Sequence, residues 1–132
     1  LNPYLLNQAE TIAFSEGFKS SHNDQVGVFV TANKDGSYIK VRDVDFREKG
    51  ATKFTARVAT THNDPVTLEV RLGSREGEKI ASVRIPRTGG SDRWAVVSAD
   101  LNGITGLHDL YFIVRGKPGS HLMYFDYWKF SE

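Results

Sequence analysis

Apolar and polar residues alternate with a period of two through most of this chain, and that pattern restricts it to β-structure. Tyr38-Ile-Lys-Val41, Lys53-Phe-Thr-Ala-Arg-Val-Ala59, Val66-Thr-Leu-Glu-Val-Arg-Leu72, Ile80-Ala-Ser-Val-Arg-Ile85 and Leu110-Tyr-Phe-Ile-Val114 all alternate. Turn-forming sequences separate them: Lys34-Asp-Gly36, Glu48-Lys-Gly50, Asn63-Asp-Pro65, Arg75-Glu-Gly77, Thr88-Gly-Gly90, Asn102-Gly103 and Lys117-Pro-Gly119. Glycine there supplies a left-handed φ, and Asn and Asp bond their own backbone. No segment carries a convincing 3.6-residue amphipathic pattern. Short strands at this spacing predict an all-β fold, a β-sandwich or jelly roll of two antiparallel sheets.

The 132 residues suffice for one domain with a core that needs no staples. The lack of cysteine rules out disulfides and thiolate metal sites but leaves secretion open. With 17 basic and 16 acidic residues the formal charge is +1, which gives no reason to expect nucleic acid or an anionic membrane as a partner. No apolar run approaches the roughly 20 residues that span a bilayer. The opening, Leu1-Asn2-Pro3-Tyr4, carries no signal peptide and reads as the start of a module cut from a longer protein.

Alternation also sorts side chains onto faces. Phe54, Ala56 and Val58 share one side, as do Val66, Leu68, Val70 and Leu72 on what reads as a neighbouring strand; these are predicted core. The opposite faces carry Tyr38 and Lys40, Thr55 and Arg57, and Thr67, Glu69 and Arg71. A ring, a carboxylate and guanidinium groups on a sheet face could bind a polyhydroxylated ligand. The plainer reading is a solvated face with cross-strand ion pairs such as Glu69 with Arg57. Trp94 and Trp128 both sit among period-two neighbours and read as core or sheet-edge packing.

Catalytic constellations are missing. There is no Gly-x-Ser-x-Gly elbow, phosphate-binding glycine loop or His-Glu-x-x-His motif. His22, His62, His108 and His121 are scattered, two of them in His-Asn-Asp triplets at 22–24 and 62–64 that read as polar turns. The last segment, His121 to Phe130, is more suggestive because it places Asp126 inside an aromatic and apolar strand. Near the other end Gln8 and Glu10 are two residues apart, which in a strand would put both on one face. If the terminal strands are neighbours, three oxygen ligands converge in a set suited to calcium. The alternative is an acid at a strand edge, solvated or hydrogen-bonded.

Several motifs taken in order resemble a family 6 carbohydrate-binding module. They are Asn2-Pro-Tyr4 with Asn7-Gln-Ala-Glu-Thr-Ile-Ala13, then Asp35-Gly-Ser-Tyr-Ile-Lys-Val41, Val44-Asp-Phe46, Ala56-Arg-Val-Ala59 and Glu69-Val-Arg-Leu72. Pro86-Arg-Thr-Gly-Gly90, Gly106-Leu-His-Asp-Leu-Tyr-Phe112 and Phe125-Asp-Tyr-Trp-Lys-Phe130 complete the set over essentially the whole chain. The variant is most similar to modules appended to family 43 glycoside hydrolases, the arabinofuranosidases and xylosidases of bacteria that degrade plant cell walls. The resemblance implies a secreted, non-catalytic, monomeric module, residues 1–132 of a larger hydrolase, that holds its covalently linked catalytic domain against plant cell-wall polysaccharide. Xylan or arabinoxylan is the expected ligand, with β-glucan second. It also implies a structural calcium held by side chains matching Gln8, Glu10 and Asp126. The rival is a β-sandwich spacer whose sugar sites have decayed.

The sugar site departs from the family pattern. Many members clamp a sugar between two rings in a loop cleft, with an asparagine bonding its hydroxyls, because pyranose C–H faces pack on rings while hydroxyls need directed partners. The matching positions here are Ala32, Ser91 and Tyr124. Either Tyr124, with Phe29, rebuilds that cleft, or binding moves to a second family site on the concave sheet face. There Tyr38 would be the platform and Glu69 the hydrogen-bonding carboxylate, with Lys40 and Arg71 as donors.

Overall fold

The computed structural model describes residues 1–119 and 121–132, which form eleven strands and no helix. In chain order these are β1 (Asn7–Gln8), β2 (Phe14–Glu16), β3 (Phe18–Asn23), β4 (Gly27–Ala32), β5 (Tyr38–Asp45) and β6 (Ala51–Ala59). They continue as β7 (Val66–Leu72), β8 (Glu78–Ile85), β9 (Ala95–Ile104), β10 (Leu107–Arg115) and β11 (Met123–Ser131). One sheet runs β3-β4-β11-β6-β9, with β1 also on β11; the other runs β2-β5-β10-β7-β8. Every pairing is antiparallel. The predicted two-sheet sandwich is therefore what the chain adopts.

Alternation explains the core. Phe54, Ala56 and Val58 of β6 are fully buried, as are Leu68 and Val70 of β7 and Leu110, Phe112 and Val114 of β10. Rings from both sheets meet between them. Phe112 lies 5.6 Å from Phe125 and 5.2 Å from Trp128, and Phe130 lies 5.1 Å from Phe54 and 4.9 Å from Phe46. Trp128 is core, as expected. Trp94 falls just outside β9 and is half-buried on the outer face of the first sheet, where it packs on Phe29 at 5.4 Å and under Arg57 at 6.0 Å.

One expectation fails for a topological reason. β6 and β7 are consecutive in sequence but belong to opposite sheets, so Glu69 does not meet Arg57. Arg57 instead approaches Asp126 at 3.7 Å, and Glu69 approaches Arg71 at 3.2 Å and Arg115 at 3.5 Å. Near the N-terminus the chain passes from β2 in the second sheet to β3 in the first through Gly17 alone. Gly17 holds φ 80°, its carbonyl accepts from Asn33 N–H at 2.7 Å, and a Cβ there would lie 2.2 Å from Ser37 Oγ. Only glycine fits so sharp a crossing.

Candidate functional site

Asp126 is the residue at which β11 changes partners. Before it, Met123 to Phe125 pair with β4; after it, Tyr127 and Trp128 pair with β1. Its register with β6 slips at this point, as at a β-bulge. The bulge turns Asp126 out of the alternation, and its carbonyl accepts from Ala9 N–H at 2.8 Å, drawing residues 9 and 10 against it. The Asp126 carboxyl is buried, and that burial pushes its pKa above the ordinary range; Arg57 opposes the rise and Glu10 adds to it. Glu10 Oε2 is itself buried with no hydrogen-bond partner. Two carboxylates thus sit together with less positive charge than they need, a donor set that fits a hard cation.

Gln8 and Glu10 do not share a strand face as period two implied. β1 ends at Gln8, and Glu10 lies in the following turn, where Thr11 N–H bonds the Gln8 carbonyl at 3.0 Å. Gln8 is an exposed residue paired with Tyr127. The acids come together through the turn and the bulge rather than along one strand face. Among the described residues no group of three His, Cys, Asp or Glu side chains could hold a metal.

The second sheet presents a row of rings on its outer face. Phe14 and Glu16 of β2 stand opposite Lys40 and Tyr38 of β5, which stand opposite Tyr111 and Ile113 of β10. Those in turn oppose Arg71 and Glu69 of β7. Phe14, Tyr38 and Tyr111 form a tilted stack with centroids 6.0 and 6.1 Å apart. Four of the expected residues, Tyr38, Lys40, Glu69 and Arg71, therefore share this face.

Their availability differs from the expectation. Tyr38 is only 8% exposed: Phe14 and Tyr111 flank its ring, and the Arg75 guanidinium, from the β7–β8 turn, lies 4.6 Å over it and 3.9 Å from Glu16. Lys40 leans on Tyr111 at 5.6 Å and on Asp109 at 3.8 Å. Glu69 is held by Arg71 and Arg115, and Arg71 Nη1 also donates to the Gly77 carbonyl at 2.9 Å. The open ring is Phe14, 54% exposed. Sequence reasoning passed over Phe14, Arg75, Tyr111 and Arg115. Extending the β10 alternation by one residue would have put Arg115 with Tyr111 and Ile113, whereas a three-residue strand and a turn give no comparable signal.

At the loop end, Ala32 is fully buried, and Ser91 uses its carbonyl to accept from Asn23 Nδ2 at 2.8 Å. No ring stands at either position. Tyr124 is half-buried, 5.9 Å from Phe29 and 6.5 Å from His121. Trp94 completes this cluster beyond Phe29, its Nε1 buried without a partner.

The sequence profile of carbohydrate binding module family 6 matches residues 8–132. An arabinoxylan arabinofuranohydrolase of Bacillus subtilis strain 168 is 34% identical over 137 residues, covering 100% of this chain and 26% of the relative. One from Paenibacillus polymyxa is 35% identical over 136 residues, covering 99% and 21%. The chain thus spans about a quarter of the length of these relatives. A family 6 module of Clostridium cellulolyticum, solved in complex with xylose, superposes with a TM-score of 0.91 at 28% identity, each chain covered completely.

Proposed function

This chain belongs to family 6 of the carbohydrate-binding modules, and on that footing we propose that it is a secreted, non-catalytic, monomeric module. It holds an attached family 43 hydrolase on plant cell-wall xylan or arabinoxylan, and secondarily on β-glucan. Tethering of this kind raises the local concentration of substrate without any chemistry of its own. The observation that carries the reading is the outer face of the second sheet, where three stacked rings adjoin a carboxylate held by two guanidinium groups. Rings match the apolar faces of pyranoses, and charged donors and acceptors match their hydroxyls. Phe14 offers the first platform, and displacement of Arg75 would uncover Tyr38 beside Glu69, Lys40 and Arg71.

The Phe29, Trp94 and Tyr124 cluster favours a second reading, a rebuilt loop cleft with Tyr124 as its platform. Glu10 and Asp126 would hold a structural calcium where β1 joins β11, with the exposed Gln8 amide oxygen as the remaining side-chain ligand of the expected set. When bound, the ion would offset the repulsion between the two acids and fix the closing strand to the N-terminal turn. Depletion of the chain from solution over insoluble arabinoxylan and β-glucan tests the binding. We expect removal by arabinoxylan; a chain left wholly in solution by both polymers would favour the spacer.

A further inference from the structure

A cavity of about 330 Å³ lies beyond the ring row and the loop cluster, between residues 62–65, which lead into β7, and the end of β8. Pro65 and Pro86 give it an apolar floor, and Arg84 and Arg87 stand on its wall. The register explains why they converge. Val66 pairs with Ile85 and Thr67 with Arg84, so the turn before β7 is carried beside the residues that follow β8. Both arginines are exposed, and neither has a carboxylate partner among the described residues. Arg84 makes no hydrogen bond or ion pair there, and Arg87 uses only Nε, donating to the Thr61 carbonyl at 3.2 Å. The one acid on the wall, Asp64, is already approached by Lys117 at 3.4 Å.

We infer that this cavity binds the carboxylate of a uronic acid residue on a polysaccharide. Two unpaired guanidinium groups beside an apolar floor fit a ligand that is anionic at one edge and apolar on its ring face. Guanidinium groups recognise carboxylates with charge-assisted, often bidentate hydrogen bonds. Pro65 and Pro86 would pack against the C–H face of the same sugar, and the volume lies in the range of small-ligand sites, ~300–1,000 Å³. Arg84 stands opposite Thr67, which stands opposite Arg115, so the cavity continues the face that carries Glu69. A chain with neutral and acidic residues could engage both. The inference rests on carbohydrate binding but not on which face takes neutral sugar.

The test is affinity electrophoresis in gels of glucuronoxylan, of the same polymer after carboxyl reduction, and of neutral arabinoxylan. The wild type, Arg84→Gln/Arg87→Gln and the charge-matched control Lys129→Gln are compared. We expect the wild type and Lys129→Gln to bind glucuronoxylan about tenfold more tightly than its reduced form, as one charged hydrogen-bonding pair provides. The double variant should lose that difference and keep its mobility in arabinoxylan and its melting temperature. Equal retardation by both forms of glucuronoxylan, or an equal loss in Lys129→Gln, would overturn the site. So would full competition by inorganic phosphate at the same carboxylate concentration, which would mark a general anion site. Failure of the wild type in arabinoxylan alone would count against the neutral-sugar reading and leave the uronate comparison standing.

Discussion

Arg75 decides how open the ring platform is. Its guanidinium covers Tyr38, but half the Arg75 side chain is in solvent and its Glu16 partner is more exposed still. Such a cover contributes about 0.5–1 kcal/mol. Arg75→Ala is therefore expected to tighten arabinoxylan binding by roughly twofold to fivefold, readable by calorimetric titration; unchanged affinity would mean that Tyr38 is not part of the platform. Asp126 controls a different property. Burial, the largest cause, raises its pKa in the fold, so the folded chain binds protons more readily than the unfolded one. The sign follows: in metal-free protein this group's contribution to stability falls as pH rises from the ordinary carboxylate value, about 3.9, through the raised folded value. Asp126→Asn should accordingly raise the melting temperature of the metal-free protein at pH 7. It should also abolish any calcium-dependent gain, since the neutral amide removes the charge the ion needs. A lower melting temperature for the metal-free variant would show that the Arg57 pair outweighs desolvation.

The strands were legible in outline because alternation survives burial, whereas turns and crossings hide their geometry. The runs at Lys53–Ala59, Val66–Leu72 and Leu110–Val114 became β6, β7 and most of β10. Their placement in opposite sheets was not readable, because period two is the same whichever sheet a strand joins; the Glu69–Arg57 pairing failed there. The expectation that Gln8 and Glu10 share one strand face failed for another reason: β1 stops after two residues, and a turn carries Glu10 to Asp126. The predicted sheet-face residues came together because Tyr38, Lys40, Glu69 and Arg71 all lie within long strands. Two elements carry measurable consequences. Gly17→Ala should cost about 1–3 kcal/mol, since a side chain must adopt a left-handed φ and displace Ser37 at the crossing; equilibrium urea unfolding reads it directly. Removal of calcium by a chelator should lower the melting temperature, with about 2.7 kcal/mol lost from a starting concentration a hundredfold above the dissociation constant. An unmoved transition after verified metal removal would leave Glu10 and Asp126 as an acid pair only.

At the scale of the molecule, the sandwich provides a rigid frame whose second sheet displays a ring row along one face, with the uronate cavity at its loop end. The two sheets are locked by rings from both sides, so either face can lose surface groups without disturbing the core. A non-catalytic module also predicts that the isolated chain releases no reducing sugar from xylan, which a reducing-end assay on pure protein checks. The most direct test is affinity electrophoresis in arabinoxylan gels of wild type, Phe14→Ala, Tyr38→Ala and Tyr124→Ala. Retardation should persist in Tyr124→Ala and be lost in Phe14→Ala and Tyr38→Ala. Loss confined to Tyr124→Ala, or no retardation of the wild type, would contradict binding at the sheet face.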